Sequence, residues 1–284
     1  MVNKKNILIF GSEGQLGKSI KSISKKFKNY YYFFMNREQL DIRKCDEIIE
    51  FVKIHKIDTI VNCAAYTKVL EAEIEQNLAD EINNYSVKKI AQICESQKVQ
   101  LIHISTDYVF DGKKETPYNE EDITNPINKY GLSKLNGEKN ILKLTLNNSV
   151  IIRTSWLYSN FKNNFVSNIV KQIRDKNSLK VIEDEFGSPT YSIDLATLIL
   201  EIIPRLKNIK TQIYHYSNLG YCSRIEFAKQ ICIYKNSPIL IEPLKIKSNN
   251  IRPKFSALDS RKIKREFNLT IPHWKTSLKN CILN

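Results

Sequence analysis

The chain has 284 residues, 42% of them hydrophobic and 26% charged. That is enough to bury a full core in one large or two modest domains, and it excludes a disordered or fibrous chain. The formal net charge is +14, but the basic residues are dispersed ("KSIKSISKKFK", "VKQIRDKNSLK", "RKIKRE") with no aromatic-basic stripe, so nucleic acid is not an expected partner. A basic surface still attracts anionic substrates such as a nucleotide diphosphate.

The start, "MVNKKNILIFGSEG", places charge before an apolar run, as a signal peptide does. The run is only "ILIF" and a glycine turn ends it, so it reads as a first β-strand and the protein is expected in the cytoplasm. No apolar run approaches the roughly 18 residues of a membrane helix, so no membrane partner is expected. The six cysteines (Cys45, Cys63, Cys94, Cys222, Cys232, Cys281) form no CxxC pair and read as buried or free thiols.

From there strands and helices alternate. "NILIFG" is a strand and "GKSIKSISKKF" a helix; "YYYFFM" is a strand and "CDEIIEFVKIH" a helix with apolar spacing of three and four. "DTIVNCAA" is a third strand, followed by the amphipathic helix "LADEINNYSVKKIAQICES". "VQLIHIST" is a fourth strand, "GLSKLNGEKNILKL" a helix and "SVIIRTSWLY" a fifth strand. Beyond about residue 156 the pattern loosens into the helices "NNFVSNIVKQIRD" and "SIDLATLILEII", with "LKVIEDEFGSPT" a strand and loop between them. The strand "QIYHYSN" is expected to return to the sheet. The alternation predicts an α/β fold, a Rossmann-type doubly wound parallel sheet with a small C-terminal α/β domain over its carboxyl edge, where ligands of such sheets bind.

"GSEGQLG" puts Gly11, Gly14 and Gly17 directly after the first strand and at the opening of a helix. Glycines there allow a tight turn and let backbone N–H groups approach a pyrophosphate at the helix N-terminus. The fragment predicts a dinucleotide site. After the second strand come Asn36, Arg37 and Glu38, where a ribose-binding acid is often found. Arg37 can pair with a 2′-phosphate, which favours NADPH over NADH, or lie free on the surface. Asp41 can accept a bond from an adenine amino group while Ile42 covers the ring, or it can cap a helix.

"HISTDYVFDG" ends a strand in Ser105 and Thr106, and "YGLSK" places Tyr130 and Lys134 one helical turn apart on one face. A tyrosine is a poor acid-base group at neutral pH, and a nearby ammonium favours its phenolate and lowers its pKa. The set suits carbonyl reduction: hydride from a nicotinamide reaches the carbonyl carbon, Tyr130 delivers the proton to oxygen, and Thr106 orients it. Lys134 can supply that ammonium while also holding a cofactor ribose.

With "GSEGQLG", "LDI", "IVNCAAYT", "HISTDYVFDG", "YGLSKLNGE", "RTSWLY", "EFGSPT" and "RPKFSALD" in one order, the chain resembles the dTDP-4-dehydrorhamnose reductase family of extended short-chain dehydrogenase/reductases nearly end to end. The resemblance implies that Thr106, Tyr130 and Lys134 are catalytic. It implies cofactor binding by Gly11, Gly14, Gln15, Leu16, Arg37, Asp41, Ile42, Ala64, Ala65 and Tyr66, besides Tyr130 and Lys134. It implies substrate contacts from Thr106, Val109, Phe110, Trp156 and Arg252. Trp156 would pack on the sugar ring or be a core aromatic; Arg252 would reach the diphosphate or form a structural salt bridge; Asn83 would support a proton path or be a polar helix residue.

The resemblance further implies an NAD(P)-binding domain at 1–155 plus about 190–218, and a substrate-binding domain at about 156–189 and 219–284. The expected activity is reduction of dTDP-4-dehydro-L-rhamnose to dTDP-L-rhamnose for surface polysaccharide, with NADPH or NADH. The alternatives are another nucleotide-linked 4-keto-6-deoxy sugar, of the 6-deoxytalose type or UDP-linked, and a non-catalytic NADP-binding regulatory subunit. A homodimer is left open. Three positions depart from the family: Leu70 stands where an aspartate is usual, Ser19 where some members carry a glutamate for Mg²⁺, and Arg224 where an aromatic is frequent. No metal is expected.

Overall fold

The computed structural model describes residues 4–283 apart from 145, 147, 162–163, 208 and 246–250. In chain order come β1 (Lys5–Phe10), α1 (Gln15–Ile23), β2 (Tyr30–Met35), α2 (Cys45–Ile54), β3 (Thr59–Asn62), α3 (Gln76–Asp80), α4 (Ser86–Gln97), β4 (Gln100–Thr106), α5 (Lys129–Leu142) and β5 (Val150–Thr154). Then follow β6 (Leu157–Tyr158), α6 (Phe165–Asp175), β7 (Ser178–Ile182), β8 (Phe186–Gly187), β9 (Thr190–Tyr191), α7 (Ser192–Ile202), β10 (Gln212–His215), β11 (Cys222–Ser223), α8 (Arg224–Tyr234), β12 (Leu240–Leu244), α9 (Arg261–Glu266) and α10 (Trp274–Leu283).

Six strands form a parallel sheet in the order β10-β5-β4-β3-β1-β2. Its strands are near-continuous apolar runs because both faces are covered. Successive side chains alternate between those faces. Ile7, Ile9, Val61, Ile102 and Ile152 pack against Leu16 and Ile20 of α1 and Leu195 and Ile199 of α7. Leu8, Phe10, Ile60, Leu101 and Ile151 pack on the other side against Ile48 of α2, Ile90 of α4 and Ile141 of α5. The strand order reverses between β1 and β3, so their carboxyl ends frame the crevice where such sheets take ligands.

β10 returns to the sheet beside β5, as the sequence predicts. A separate apolar cluster joins Tyr158, Val166, Leu179, Phe227, Ile241 and Trp274. It unites α6, α8 and α10 with the β7–β12 pair, whose five-residue register runs from Leu240 opposite Ser178 to Leu244 opposite Ile182. β12 contains Pro243, which an edge strand tolerates because one of its sides needs no ladder donor. Asn163, expected to open the helix "NNFVSNIVKQIRD", lies outside the described residues; α6 begins at Phe165 with Asn164 as its cap.

Two local features aim the site. The expected single helix at 78–96 is broken by a π-helical turn at Glu81–Tyr85 between α3 and α4. On the buried side of α5, Glu138 accepts two parallel bonds from Arg153 of β5, at 2.9 and 2.7 Å. This fork locks α5, and so Tyr130 and Lys134, against the sheet.

Candidate active site

A cavity of about 1130 Å³ runs along the carboxyl ends of β1, β3, β4 and β5. Its first wall is the glycine loop. Gly11 has φ +73°, and a Cβ there would lie 2.8 Å from the Ala64 backbone nitrogen. A Cβ on Gly17 would lie 2.4 Å from the Gly11 carbonyl oxygen. Glycine is therefore required twice, once for the turn and once for close approach of α1. Gly14 precedes α1 as its N-cap, so the free N–H groups of the helix start face the cavity wall. Gln15 and Leu16 also line it; the Gln15 amide oxygen accepts from Ser159 at 2.8 Å, tying the loop to the segment after β6.

At the far end of this wall, Asp41 is gripped by Arg43. Its Oδ1 accepts from the Arg43 backbone and Nε, each at 3.0 Å, and its Oδ2 from Nη2 at 2.6 Å. Arg37 pairs with the same carboxylate at 3.5 Å from a more exposed position. The bond from Arg43 holds the Asp41 carboxyl below its usual range. Asp41 thus serves the local turn and keeps Arg43 in the cavity wall, together with Arg37 and Ile42. Arg43 escapes the sequence reading, although its position two residues after Asp41 is that of an Asx turn.

Ala64, Ala65 and Tyr66 line the cavity beside the glycine loop. Asn83 does not reach the cavity. Its Oδ1 accepts from the Tyr66 N–H and its Nδ2 donates to the Tyr66 carbonyl, each at 2.9 Å, and to Ser133 Oγ at 3.0 Å. It is a strap between this loop and α5, held by the π turn, rather than a group facing the ligand. Ser19 is likewise internal, donating to Ser192 of α7 at 2.7 Å.

Thr106, Tyr130 and Lys134 all line the cavity. Asn128 caps α5, accepting from Gly131 N at 2.6 Å, and Gly131 lets the helix approach Tyr108, whose carbonyl would lie 2.1 Å from a Cβ. The Tyr108 and Tyr130 rings meet edge to face at 5.7 Å. Burial pushes the Tyr130 pKa up, and the facing Thr106 hydroxyl opposes the rise. The expected lowering by Lys134 is absent, because the ammonium points elsewhere: Nζ donates to the Ile104 carbonyl at 2.6 Å and lies 3.3 Å from His103 Nε2. A phenol held protonated is a proton donor, which is the form that carbonyl reduction needs.

Burial brings the Lys134 pKa down to about 8. The hydrogen-bond bookkeeping agrees. Asn62 accepts from Ala64 N through Oδ1, so its Nδ2 faces His103 Nδ1 at 3.2 Å. That nitrogen is then an acceptor and Nε2 carries the proton, a contact that suits Lys134 in the deprotonated form its lowered pKa makes accessible above about pH 8. His103 is missed from sequence, yet it lies two residues before Ser105 in one strand and therefore on the same face.

Asp107 completes this centre. It accepts from Thr106 Oγ1 at 3.0 Å, and burial raises its carboxyl to about 6. Among the described residues, Asp107 Oδ2, Ser105 Oγ and Ser155 Oγ are buried without a partner, and all three residues line the cavity. Idle buried polar atoms mark a place that a polar ligand completes.

Val109 and Phe110, expected to touch substrate, do not reach the cavity: both are fully buried. Phe110 stacks on Tyr118 at 4.2 Å and packs under the Arg153 guanidinium, so the turn after β4 sends both apolar side chains into a local core. Trp156 does line the cavity, with its backbone in the left-handed region at φ +45°. Its ring carries the Arg224 guanidinium at 3.5 Å from the centroid. Arg252 lies outside the cavity wall and pairs with Glu185 at 3.9 Å, which is the salt-bridge alternative. Leu70 is exposed and outside the cavity.

A doubly wound sheet, a glycine loop after β1 and a Tyr–Lys pair one turn apart define the architecture of the short-chain dehydrogenase/reductases. Known proteins narrow the class. Residues 5–284 match the family model described as RmlD substrate binding domain. The chain is 33% identical to the dTDP-4-dehydrorhamnose reductase of Aggregatibacter actinomycetemcomitans, covering 96% of this chain and 97% of that one. It is 32% identical to the dTDP-4-keto-6-deoxy-D-glucose reductase of Streptomyces niveus, over 95% and 94%. The crystal structure of dTDP-4-dehydrorhamnose reductase from Bacillus anthracis in complex with NADP superposes with a TM-score of 0.93 at 34% identity, over 99% of each chain. The chain belongs to this RmlD family of reductases.

Proposed function

We propose that the protein reduces the C4 keto group of dTDP-4-dehydro-L-rhamnose to give dTDP-L-rhamnose, in cytoplasmic synthesis of a nucleotide sugar for surface polysaccharide. The observation that carries this reading is the meeting of a protonated Tyr130, Thr106 and Lys134 in one cavity with the glycine loop. Full-length likeness to reductases of dTDP-linked keto sugars supports it.

The walls fit NADPH. The N–H groups at the start of α1 would hold the pyrophosphate beside Gly11 and Gly14, and Arg37 and Arg43 would meet a 2′-phosphate. Asp41 would hold Arg43 for that purpose, Ile42 would cover the adenine, and Ala64, Ala65 and Tyr66 would border the nicotinamide half. The bound cofactor supplies the hydride. Tyr130 donates its proton to the substrate oxygen. Thr106 shares its hydroxyl with Asp107 and turns it toward that oxygen when substrate enters. Lys134, released from Ile104 and His103, holds the ribose. Residues 1–155 plus about 190–218 would carry the cofactor, and about 156–189 and 219–284 the substrate.

A second reading changes only the sugar, to another nucleotide-linked 4-keto-6-deoxy sugar. Leu70 and the small domain altered at Arg224 depart from the family's pattern and are what this reading rests on. The test is to mix purified protein with dTDP-4-dehydro-L-rhamnose and NADPH or NADH, follow the cofactor absorbance, and identify the product by NMR. Turnover to dTDP-L-rhamnose, faster with NADPH, is expected. Bound NADPH without turnover would move the assignment to the second reading.

A further inference from the structure

We propose that Arg224 is a substrate-binding residue whose guanidinium binds the diphosphate of the nucleotide-sugar substrate. The proposal rests on the reading above. Arg224 opens α8 and its backbone is fixed twice. A capping box joins Ser223 to Glu226, and the Arg224 N–H donates to the Glu185 carbonyl at 3.0 Å. The guanidinium lies over the Trp156 ring, and Nε donates to Glu185 Oε2 at 3.3 Å. Trp156 is itself immobilised: its carbonyl accepts from Thr190 at 3.2 Å, and a Cβ on Gly187 would lie 2.4 Å from its ring. The ring is a shelf for a cation, and in this arrangement that cation takes the face on which a sugar was expected.

The charges do not cancel. Arg224 and Glu185 are both largely buried, with side chains 14% and 12% exposed. Glu185 also serves Arg252, so two guanidinium groups share one carboxylate. Among the described residues, the two terminal nitrogens of Arg224 have no hydrogen-bond partner, although the side chain lines the cavity. Idle guanidinium donors held in a planar fork match a phosphate or carboxylate geometrically and electrostatically.

Position selects the diphosphate. The charges of Arg224 and Arg252 both act on Tyr108, whose ring in turn abuts Tyr130. Arg224, Tyr108 and Tyr130 line one cavity, so the Arg224 charge acts in the same space as the proton donor, from a different segment than the glycine loop that suits the cofactor's pyrophosphate.

The experiment titrates dTDP and NADPH separately into the full-length wild type, Arg224→Gln, Arg224→Lys and Glu185→Gln, with thermal midpoints recorded for each. Arg224→Gln should weaken dTDP about 10- to 100-fold and Arg224→Lys less, since lysine keeps the charge but loses the fork. NADPH affinity should stay within about 2-fold. KM for the keto sugar should rise in step with the dTDP constant while kcat changes little. Glu185→Gln removes the competing carboxylate, so dTDP should bind at least as tightly. A purely structural Arg224–Glu185 pair predicts the opposite, with dTDP weakened by both changes, and that result would overturn the proposal. So would unchanged dTDP affinity in both Arg224 variants, or an equal loss for NADPH. Wild type that binds dTDP while the variants match it sinks the Arg224 role alone; wild type that binds neither dTDP nor keto sugar sinks the functional reading and this proposal with it.

Discussion

The two ends of the cavity are made differently. The glycine-loop end is built from backbone: Gly11 and Gly17 are required because a Cβ would strike main-chain atoms, and the helix start presents N–H groups. The other is built from the side chains of Trp156 and Arg224, with Glu185 pairing to Arg224 from outside the cavity lining and charge as its main feature. Backbone sites suit a ligand that never changes, because steric demands leave few acceptable residues. Side-chain sites can be re-specified by one substitution. On this account the first end holds the cofactor, and the second holds the diphosphate of the sugar nucleotide.

The largest expected effect falls between the two ends. Tyr130→Phe should lower kcat by about 10²- to 10⁴-fold, the usual worth of a positioned proton donor, with NADPH affinity nearly unchanged. Near-normal turnover would show that another group supplies the proton. At the backbone end, Gly17→Ala forces α1 away from Gly11. NADPH affinity should fall about 100-fold, or about 2.8 kcal/mol, with dTDP affinity retained; equal loss of both would erase the distinction drawn between the ends. Arg43→Ala should weaken NADPH about 10-fold more than NADH, as the loss of one desolvated phosphate contact implies. Equal losses would place the 2′-phosphate elsewhere.

A subtler test is pH. Lys134 titrates near 8 in the fold against 10.5 for a free side chain. Between those values the unfolded chain binds a proton that the folded chain has lost, so unfolding takes up a proton and stability rises with pH. Wild type without cofactor should gain up to about 1.4 kcal/mol per pH unit across that window relative to Lys134→Met, measured by denaturant unfolding. Parallel curves would mean that Lys134 keeps its ordinary pKa. The smallest effect is Leu70→Asp. The residue is exposed and outside the cavity, so kcat and KM should stay within about 2-fold and stability within about 0.5 kcal/mol. A large change would reveal a contact of this loop with ligand.

The same contrast explains what was legible in the sequence. Apolar strands, helical spacing and a glycine loop are local patterns, so the sheet and the backbone end follow from them directly. The Tyr130–Lys134 pair is legible because one helical turn fixes its geometry. Val109 and Phe110 mislead because a run after a strand does not state which way each side chain turns, and here both turn into a core with Tyr118. Arg224, Glu185 and Trp156 belong to three distant segments, so only tertiary packing brings them together. Pro243 hides β12, and the π turn that aims Asn83 has no periodic signature. His103 was readable: it is a polar residue in an apolar strand, in register with Ser105.

The central claim is that this cavity carries a hydride from the nicotinamide to C4 of a dTDP-linked sugar. The direct measurement is a turnover with dTDP-4-dehydro-L-rhamnose and NADPH carrying deuterium at the nicotinamide C4, followed by NMR of the product. The account predicts dTDP-L-rhamnose with the deuterium at sugar C4, and a strong loss of that transfer in Tyr130→Phe. Consumption of NADPH with no label at C4, or a sugar left oxidised while NADPH stays bound, would contradict it.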